Sequence, residues 1–224
     1  MGSIANDPAP EAESSAPSGG LLSSGGRASG LVFVISGPSG VGKDTIKQCL
    51  RDTDFPIGYC VTATTRPARD GELHGIHYFF VSDADFCGML HRGDLIEHAV
   101  VHGKHSYGIP IEGLRAGMRN GRDVLVTPDV QGAATLRALI PNAISIFLAP
   151  TSLEELKLRI ADPRSGRLEE METRLKTAAV EMRRMGEFDY LVVNEDGKLD
   201  ETVEQVKAIV AAERLRVKPR RVVL

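Results

Sequence analysis

The feature that most constrains this chain is a glycine-rich loop between an apolar strand and a helix. Residues 37–43 have the sequence Gly-Pro-Ser-Gly-Val-Gly-Lys and follow directly on the apolar run 31–35. Ile46, Cys49 and Leu50 then recur at helical spacing. Loops of this form turn backbone N–H groups toward phosphate at a helix N-terminus, and their lysine reaches the outer phosphates. The segment, called the phosphate loop below, therefore predicts a nucleoside triphosphate site in an α/β fold.

The two residues after the loop lysine are candidate ligands for Mg²⁺. Loops of this type usually continue with Ser or Thr as the Mg²⁺ ligand, whereas this chain has Asp44, followed by Thr45. Both side chains offer oxygen atoms, which Mg²⁺ prefers as ligands. We therefore expect Mg²⁺, bound together with ATP, as the cofactor.

Length and charge limit the possible partners. With 224 residues, 42% of them hydrophobic, the chain can bury one substantial core. A formal net charge of −3 gives no overall attraction to nucleic acid or to an anionic membrane. The longest apolar stretches, residues 31–35 and 143–149, are far too short to span a bilayer. We therefore expect a soluble protein without a nucleic-acid or membrane partner. Cys49, Cys60 and Cys87 form no C-x-x-C pair, which favours reduced thiols in an intracellular protein.

Apolar runs and helical segments alternate along most of the chain. The apolar runs are continuous, as in strands covered on both faces, and comprise residues 31–36, 124–127, 144–148 and 190–193. The predicted helices between and after them are residues 110–120, 131–140 and 199–215. This alternation predicts a parallel sheet whose strand C-termini form the ligand-binding edge.

Two stretches depart from simple strand–helix alternation. Residues 59–107 contain short β segments at 59–64, 78–81 and 95–101, with one helix after Ser82. Residues 153–185 form two charged, arginine-rich helices joined by a loop at 161–167. An exposed helical pair and a mobile lid that closes on phosphates are both consistent with that pattern.

The two ends of the chain differ from the middle in composition. Residues 1–30 are rich in Ser, Gly, Ala and Pro and have little apolar bulk, which predicts a disordered segment. Residues 214–224 are strongly basic and predict a solvated tail.

Between the strands lie side chains suited to a phosphate and to a nucleobase. Arg66 and Arg69, three residues apart beside Pro and Gly, can turn both guanidinium groups toward one anion, and Tyr78 can add a hydroxyl. Carboxylates such as Glu97 and Asp129 are costly near a phosphate loop unless they bind Mg²⁺ or accept hydrogen bonds. The N1–H and N2–H₂ groups of guanine provide such a pair of donors.

At these residues the chain resembles guanylate kinase, which transfers a phosphoryl group from ATP to GMP. The resemblance covers about residues 31–213. It rests on the phosphate loop, Thr64-Thr65-Arg66, Arg69-Asp70-Gly71-Glu72, Gly75, Tyr78, Glu97, Tyr107-Gly108, Asp129-Val130-Gln131-Gly132, Arg174-Leu175 and Val193-Asn194. The Gly-Lys-Asp end of the loop is similar to the plant organellar branch of the family, which implies a chloroplast or mitochondrion, with the cytoplasm as the alternative.

The resemblance implies a nucleoside monophosphate kinase fold and a role for each matching residue. The core would comprise residues 31–58, 108–152 and 186–213, with a β-rich GMP-binding lobe at 59–107 and a helical lid at 153–185. The implied ATP-binding residues are Gly37, Pro38, Ser39, Gly40, Val41, Gly42, Lys43, Asp44, Thr45 and Asn194. The implied GMP-binding residues are Thr62, Arg66, Arg69, Glu72, Tyr78, Glu97, Tyr107 and Asp129. The implied catalytic residues are Lys43, Arg66, Arg159 and Arg174, and the lid would add Arg164 and Arg167.

The sequence departs from the family pattern at three positions. Ile109 stands where a hydroxyl residue usually helps to recognise guanine, Pro163 replaces a lid arginine, and Asp44 replaces the hydroxyl ligand of Mg²⁺. A ribose-bisphosphate phosphokinase is one alternative, because its loop can also end in Gly-Lys-Asp. A non-catalytic, peptide-binding domain of the guanylate kinase type is another, although such domains characteristically lose the intact loop and lysine. For the enzyme we expect a monomer or a weak homodimer.

Overall fold

A five-stranded parallel sheet forms the centre of the fold. In spatial order its strands are β2 (Gly58–Tyr59), β7 (Val124–Val126), β1 (Val32–Ser36), β8 (Ile144–Ala149) and β9 (Tyr190–Val193). The computed structural model describes residues 30–101, 103–161 and 168–224, with the backbone alone for 168–170. The predicted disordered segment 1–30 lies outside these ranges except for Gly30.

Helices cover both faces of this sheet. The helices are α1 (Lys43–Asp52), α2 (Asp83–Arg92), α3 (Ile111–Met118), α4 (Val130–Leu139), α5 (Leu153–Ala161), α6 (Leu168–Met182) and α7 (Leu199–Arg214), and all except α2 contribute side chains to the cores on this sheet. Side chains of β1 alternate between the two faces: Phe33 and Ile35 pack with α1, α5 and α7, whereas Val32 and Val34 pack with α3 and α4. All four side chains are fully buried, which explains why the strand is continuously apolar. The four predicted strands of the central sheet are confirmed.

A second, four-stranded sheet forms the small β-rich part of the chain. Its spatial order is β4 (Tyr78–Phe80), β3 (Thr62–Thr64), β6 (His105–Pro110) and β5 (Leu95–Val101). Strand β3 runs parallel to β4 and antiparallel to β6, which also pairs antiparallel with β5. The Ser82 hydroxyl accepts a hydrogen bond from the Asp85 N–H at 3.1 Å, so a side chain caps the start of α2, the helix predicted after Ser82.

The prediction of one β segment over residues 59–64 was wrong. Gly58 and Tyr59 pair with β7 in the central sheet, and the chain then passes through Cys60 and Val61 into β3 of the second sheet. An apolar and β-branched run has no local signal for such a change of sheet. The short segment therefore connects the two sheets physically.

The predicted helix over residues 110–120 is also shorter than expected. Pro110 is the last residue of β6, and α3 ends at Met118. Asn120 and Gly121 then have φ values of 62° and 70°, a left-handed conformation that Asn and Gly tolerate better than other residues.

The basic C-terminal segment is mostly exposed, but two of its arginines and one apolar side chain contact the domain. The Nε of Arg214 donates to the buried Asp123 carboxylate at 2.6 Å, and Arg220 pairs with Asp189 at 3.2 Å. Val222 is buried against the face of the sheet that α3 and α4 cover. Opposite charges on the core therefore hold this segment in place.

Within the described ranges, no helix is both long and apolar enough to cross a membrane.

Candidate active site

A cleft of about 1120 Å³ lies between the phosphate loop, the second sheet and helices α5 and α6. The predicted residues that line it are Ser39, Gly40, Gly42, Lys43, Asp44, Thr45, Thr62, Arg66, Arg69, Tyr78, Glu97, Tyr107, Asp129, Arg159 and Arg174. The loop leaves β1 and Asp129 follows β7, so both reach the cleft from the C-terminal edge of the central sheet. The fold thus brings residues from 39 to 174 together at one site.

The phosphate loop needs glycine at its last position before the lysine. Gly42 has a φ of 105°, and a Cβ atom there would lie 2.6 Å from Nδ2 of Asn194. That Nδ2 donates to the Val41 carbonyl at 2.8 Å, and the Asn194 Oδ1 accepts from Thr202 at 3.2 Å. Asn194 is 6% exposed and is not part of the cleft wall. Its side chain therefore holds the phosphate loop through the Val41 carbonyl and does not face the cleft, where it was predicted to bind ATP.

The Lys43 ammonium group is folded over its own loop. It donates to the carbonyls of Gly37 at 2.7 Å and Pro38 at 3.2 Å. Burial lowers the pKa of Lys43, while the carboxylates of Glu181 and other acids oppose that shift. The Lys43 ammonium group is therefore held by two neutral carbonyl oxygens, which are weak acceptors that an anion can replace.

Helices α5 and α6 bring two predicted arginines to the loop. Arg159 donates to the carbonyl oxygens of Val41 at 3.2 Å and Asn194 at 2.8 Å, and it also pairs with Glu155. The Nε of Arg174 donates to the Ser39 hydroxyl at 3.0 Å. Both helices of the predicted lid thus contact the phosphate loop. Arg164 and Arg167, and Pro163 between the two helices, lie outside the described residues.

One carboxylate in this part of the cleft was missed by the sequence analysis. Glu181 on α6 is 9% exposed, lines the cleft and accepts a hydrogen bond from the Ser39 N–H at 3.2 Å. Burial raises the pKa of Glu181, although the Lys43 cation and the Ser39 N–H oppose the shift. Arg174 and Glu181 are seven residues apart, so their shared helix face was a usable signal.

At the other end of the cleft, Glu72 clamps the side chain of Arg66. Two guanidinium nitrogens of Arg66 donate to the two Glu72 oxygens at 2.9 Å each, and its Nε donates to the Tyr107 hydroxyl at 3.2 Å. Burial alone would raise the Glu72 pKa, but hydrogen bonds from Arg66 and Arg69 outweigh it, so the pKa lies below its usual value. Glu72, predicted to bind ligand, is not part of the cleft wall and instead orients Arg66.

Arg69 and Tyr78 complete the predicted phosphate-binding group. Arg69 is exposed, and within the described ranges its guanidinium makes no hydrogen bond. The Tyr78 hydroxyl, on β4 of the second sheet, lies 3.2 and 3.3 Å from the two carboxylate oxygens of Asp44, which belongs to α1. Asp44 also pairs with Lys47 at 3.6 Å. The acid after the loop lysine therefore connects α1 to the tyrosine of the second sheet.

Glu97 is a buried carboxylate that faces the cleft. It is 5% exposed, and within the part of the chain that the structure describes its carboxylate accepts no hydrogen bond. Burial and the nearby Asp129 charge raise the pKa of Glu97 to about 8. A Cβ atom on Gly132 would lie 2.5 Å from Oε1 of Glu97, so a larger residue at this position of α4 would displace the carboxylate.

Asp129 and Thr62 lie at the same end of the cleft as Glu97. One Asp129 oxygen accepts from the Gly132 N–H at 2.7 Å and so caps α4, which leaves its second oxygen for a ligand. Thr62 is 7% exposed, and Ile109 is fully buried in the cleft wall at the position where the family usually has a hydroxyl. Ile109 thus contributes an apolar surface and no donor.

Comparison with known proteins agrees with this geometry. The guanylate kinase family model matches residues 29–213. A guanylate kinase of Syntrophomonas wolfei is 41% identical over 84% of this chain and 95% of its own length. Guanylate kinase 2, chloroplastic/mitochondrial, of Oryza sativa subsp. japonica is 42% identical over 86% of this chain and 67% of its own length. The crystal structure of guanylate kinase from Anaplasma phagocytophilum superposes with a TM-score of 0.70 at 31% identity, covering 84% of this chain and 88% of that one. The chain therefore belongs to the guanylate kinase family, the ATP:GMP phosphotransferases.

Proposed function

We propose that the cleft binds ATP at the phosphate loop and GMP at the second sheet, and that it transfers the γ-phosphoryl group directly between them. The observation that carries the acceptor assignment is the Glu97 carboxylate, which is buried, faces the cleft and has no hydrogen-bond donor among the described residues. A buried carboxylate without a donor is costly. The N1–H and N2–H₂ groups of guanine supply the two missing donors.

The donor end would hold ATP through the loop N–H groups and the surrounding cations. Lys43, Arg159 and Arg174 all reach the loop, and each now donates to a neutral oxygen of the protein. Phosphate oxygens are stronger acceptors than carbonyl or hydroxyl oxygens, because charge-assisted hydrogen bonds are roughly twice as strong. We assign these three residues to the charge that develops on the transferring group.

The acceptor end would hold the phosphate of GMP through Arg66, Arg69, Tyr78 and Tyr107. Glu72 keeps the Arg66 guanidinium in one orientation, so we assign it a positioning role instead of direct contact with GMP. Thr62, Glu97 and the second oxygen of Asp129 would bind the guanine edge. With Ile109 in place of a hydroxyl, those three groups recognise guanine without that additional donor.

Mg²⁺ fits beside the loop, where Asp44 and Thr45 both line the cleft with oxygen-bearing side chains. Mg²⁺ commonly takes only one or two protein ligands and fills the rest of its shell with water and phosphate oxygens. Bound Mg²⁺ would neutralise phosphate charge during transfer. Within the described residues, no group of three or more potential metal ligands exists, in keeping with a metal held mainly by nucleotide.

The reaction places few acid–base demands on this site. The attacking group is a phosphate oxygen of GMP, which is already ionised near neutral pH, so no side chain has to remove its proton. The protein must bring two polyanions together and screen their repulsion while attack remains in line. The three donor-end cations and the acceptor-end arginines meet that demand.

A steady-state assay with ATP and a panel of GMP, dGMP, AMP and UMP tests the proposal. We expect GMP to be the preferred acceptor and the product to be GDP. Phosphorylation of a ribose bisphosphate with no turnover of GMP would instead indicate the ribose-bisphosphate phosphokinase, and absence of ATP binding would indicate a peptide-binding domain.

For location and assembly we propose an organellar enzyme that is a monomer or weak homodimer. The rice relative, named chloroplastic/mitochondrial, supports the organellar assignment, and the bacterial relatives support the cytoplasm as the alternative. Import of the full chain into isolated organelles separates the two locations. Light scattering after size exclusion, over a range of concentrations, measures the assembly state.

A further inference from the structure

We propose that Glu181 is a built-in competitor for the phosphate loop, holding the loop to α6 while nucleotide is absent and giving way when phosphate enters. This inference rests on the proposed ATP site and adds a residue that sets its affinity. Glu181 contacts the loop backbone and acts on nucleotide through it, so it is a positioning residue.

The first observation is the contact between Glu181 and the loop. Its Oε2 accepts from the Ser39 N–H at 3.2 Å, although loop N–H groups of this kind ordinarily face phosphate. The side chain is 9% exposed and still lines the cleft. A protein carboxylate thus occupies part of the region where the phosphates of ATP bind.

The second observation is the charge around that carboxylate. Lys43 and Arg174 are the cations that interact with it or with its loop partner, and Asp129 is the nearby acid. In the absence of nucleotide, Glu181 offsets the cost of holding two cations close together in a partly buried site. A triphosphate supplies more negative charge than one carboxylate, so its arrival removes the need for Glu181.

The third observation is that Glu181 shares a helix with Arg174, two turns apart. Arg174 donates to the Ser39 hydroxyl at 3.0 Å, so this hydrogen bond and that of Glu181 converge on Ser39. Displacement of the carboxylate by phosphate would release one contact and leave Arg174 to turn toward the nucleotide. Nucleotide entry is thereby coupled to the position of α6.

Repulsion between Glu181 and phosphate has a measurable consequence for proton binding. Burial already raises the pKa of Glu181, and a neighbouring phosphate that also engages Lys43 would raise that pKa further. The carboxylate then takes up protons when nucleotide binds, so affinity increases as the pH falls. Asp129 raises the pKa of Glu181, as the nucleotide would, whereas Lys43 and the Ser39 N–H lower it.

The test is calorimetric titration of the full chain with ADP in EDTA, comparing the wild type with Glu181→Gln and with Glu172→Gln as the matched control. Glu172 is exposed on the same helix, so its replacement removes one negative charge without touching the loop. We expect Glu181→Gln to bind ADP about tenfold more tightly, a change of roughly 1.4 kcal/mol. Glu172→Gln should bind ADP as tightly as the wild type does. Proton uptake on ADP binding should be smaller in Glu181→Gln than in the wild type or in Glu172→Gln.

Glu181→Ala gives a second, independent variant that removes the carboxylate entirely, and we expect the same tightening from it. Unchanged or weaker ADP binding in both folded variants would overturn the inference and indicate that Glu181 only supports the loop. Failure of the wild type to bind ADP or ATP would instead overturn the proposed ATP site. The two failures are therefore distinguishable.

Discussion

The donor and acceptor ends of the cleft differ in how many of their charged groups already form hydrogen bonds within the protein. At the donor end, Lys43 and Arg174 donate to the loop and Glu181 accepts from it. At the acceptor end, within the described ranges, the Arg69 guanidinium makes no hydrogen bond and the Glu97 carboxylate accepts none. Arg66, in contrast to these two groups, is already bound to Glu72. In the proposed complex ATP would exchange existing contacts for new ones, whereas GMP would add contacts to Arg69 and Glu97.

This difference indicates what limits affinity at each end. When one hydrogen bond replaces another, the gain is only the difference in free energy between the two bonds. Affinity for ATP would therefore depend on how strongly the protein's own groups compete for the same partners. At the acceptor end the limit is the protonation state of Glu97, because a neutral carboxyl cannot accept from two guanine donors as a carboxylate does. Of the three groups proposed to bind guanine, Glu97 would therefore make recognition of the base depend on pH.

The largest expected effect is that of Lys43→Met. We expect kcat to fall by at least about a hundredfold, because electrostatic stabilisation of a transferring group typically contributes a few kcal/mol. Lys176→Met, on an exposed part of α6, is the matched control and should leave kcat unchanged. Steady-state kinetics at saturating ATP and GMP measure both, and near-normal turnover in Lys43→Met would refute the role of the donor-end cation.

The next effect concerns recognition of the base. Glu97→Gln should lower kcat/KM for GMP roughly 10- to 100-fold, in line with about 1.5–3 kcal/mol for a hydrogen bond to a charged group. The GMP/AMP ratio should narrow as well, because an amide presents either a donor or an acceptor. A ratio that stays at the wild-type value in this variant would remove Glu97 from guanine recognition.

Arg69→Ala probes the exposed cation of the acceptor end. We expect KM for GMP to rise roughly tenfold while KM for ATP changes little, since a charge-assisted contact to the acceptor phosphate is lost. Arg92→Ala, an exposed residue on α2, serves as the control. An equal rise in both KM values would assign Arg69 to the whole cleft instead of the acceptor phosphate.

The smallest expected effect is that of Asp44→Ser, which restores the usual hydroxyl beside the loop lysine. The contacts to Tyr78 and Lys47 would be lost, yet we expect kcat within about threefold of the wild type. The variant should need less Mg²⁺ for its full rate, because the carboxylate no longer repels the triphosphate. Loss of most activity would indicate that Asp44 is a required ligand or connects the two ends of the cleft.

Much of this arrangement could be predicted from local sequence. The phosphate loop lies between an apolar strand and an amphipathic helix, and each of those patterns is visible within a few residues. The role of Ser82 as a helix cap has a similar local signal. Features that need only neighbours in the chain are therefore accessible without a structure.

Contacts between distant segments could not be predicted in the same way. The sequence does not show that Asn194 would fix the loop through the Val41 carbonyl, or that Arg214 would neutralise the buried Asp123. In both cases a polar side chain finds its partner only after the sheet has formed. Glu181 lies between these extremes, because its spacing from Arg174 was visible but its contact with the loop was not.

The opposite behaviour of the two ends is tested most directly by measuring proton exchange on ligand binding. Calorimetry at pH 7.5, in buffers of different ionisation enthalpy, can titrate the wild type separately with GMP and with ADP in EDTA; phosphate groups with a second pKa of about 6 are then almost fully ionised. GMP should release protons, because it needs ionised Glu97, whose pKa lies at about 8 in the empty cleft. Affinity for GMP should therefore increase as the pH rises toward that value, by at most about tenfold per unit. ADP should instead take up protons through Glu181. Proton exchange of the same sign for both ligands, or none for either, would contradict the account.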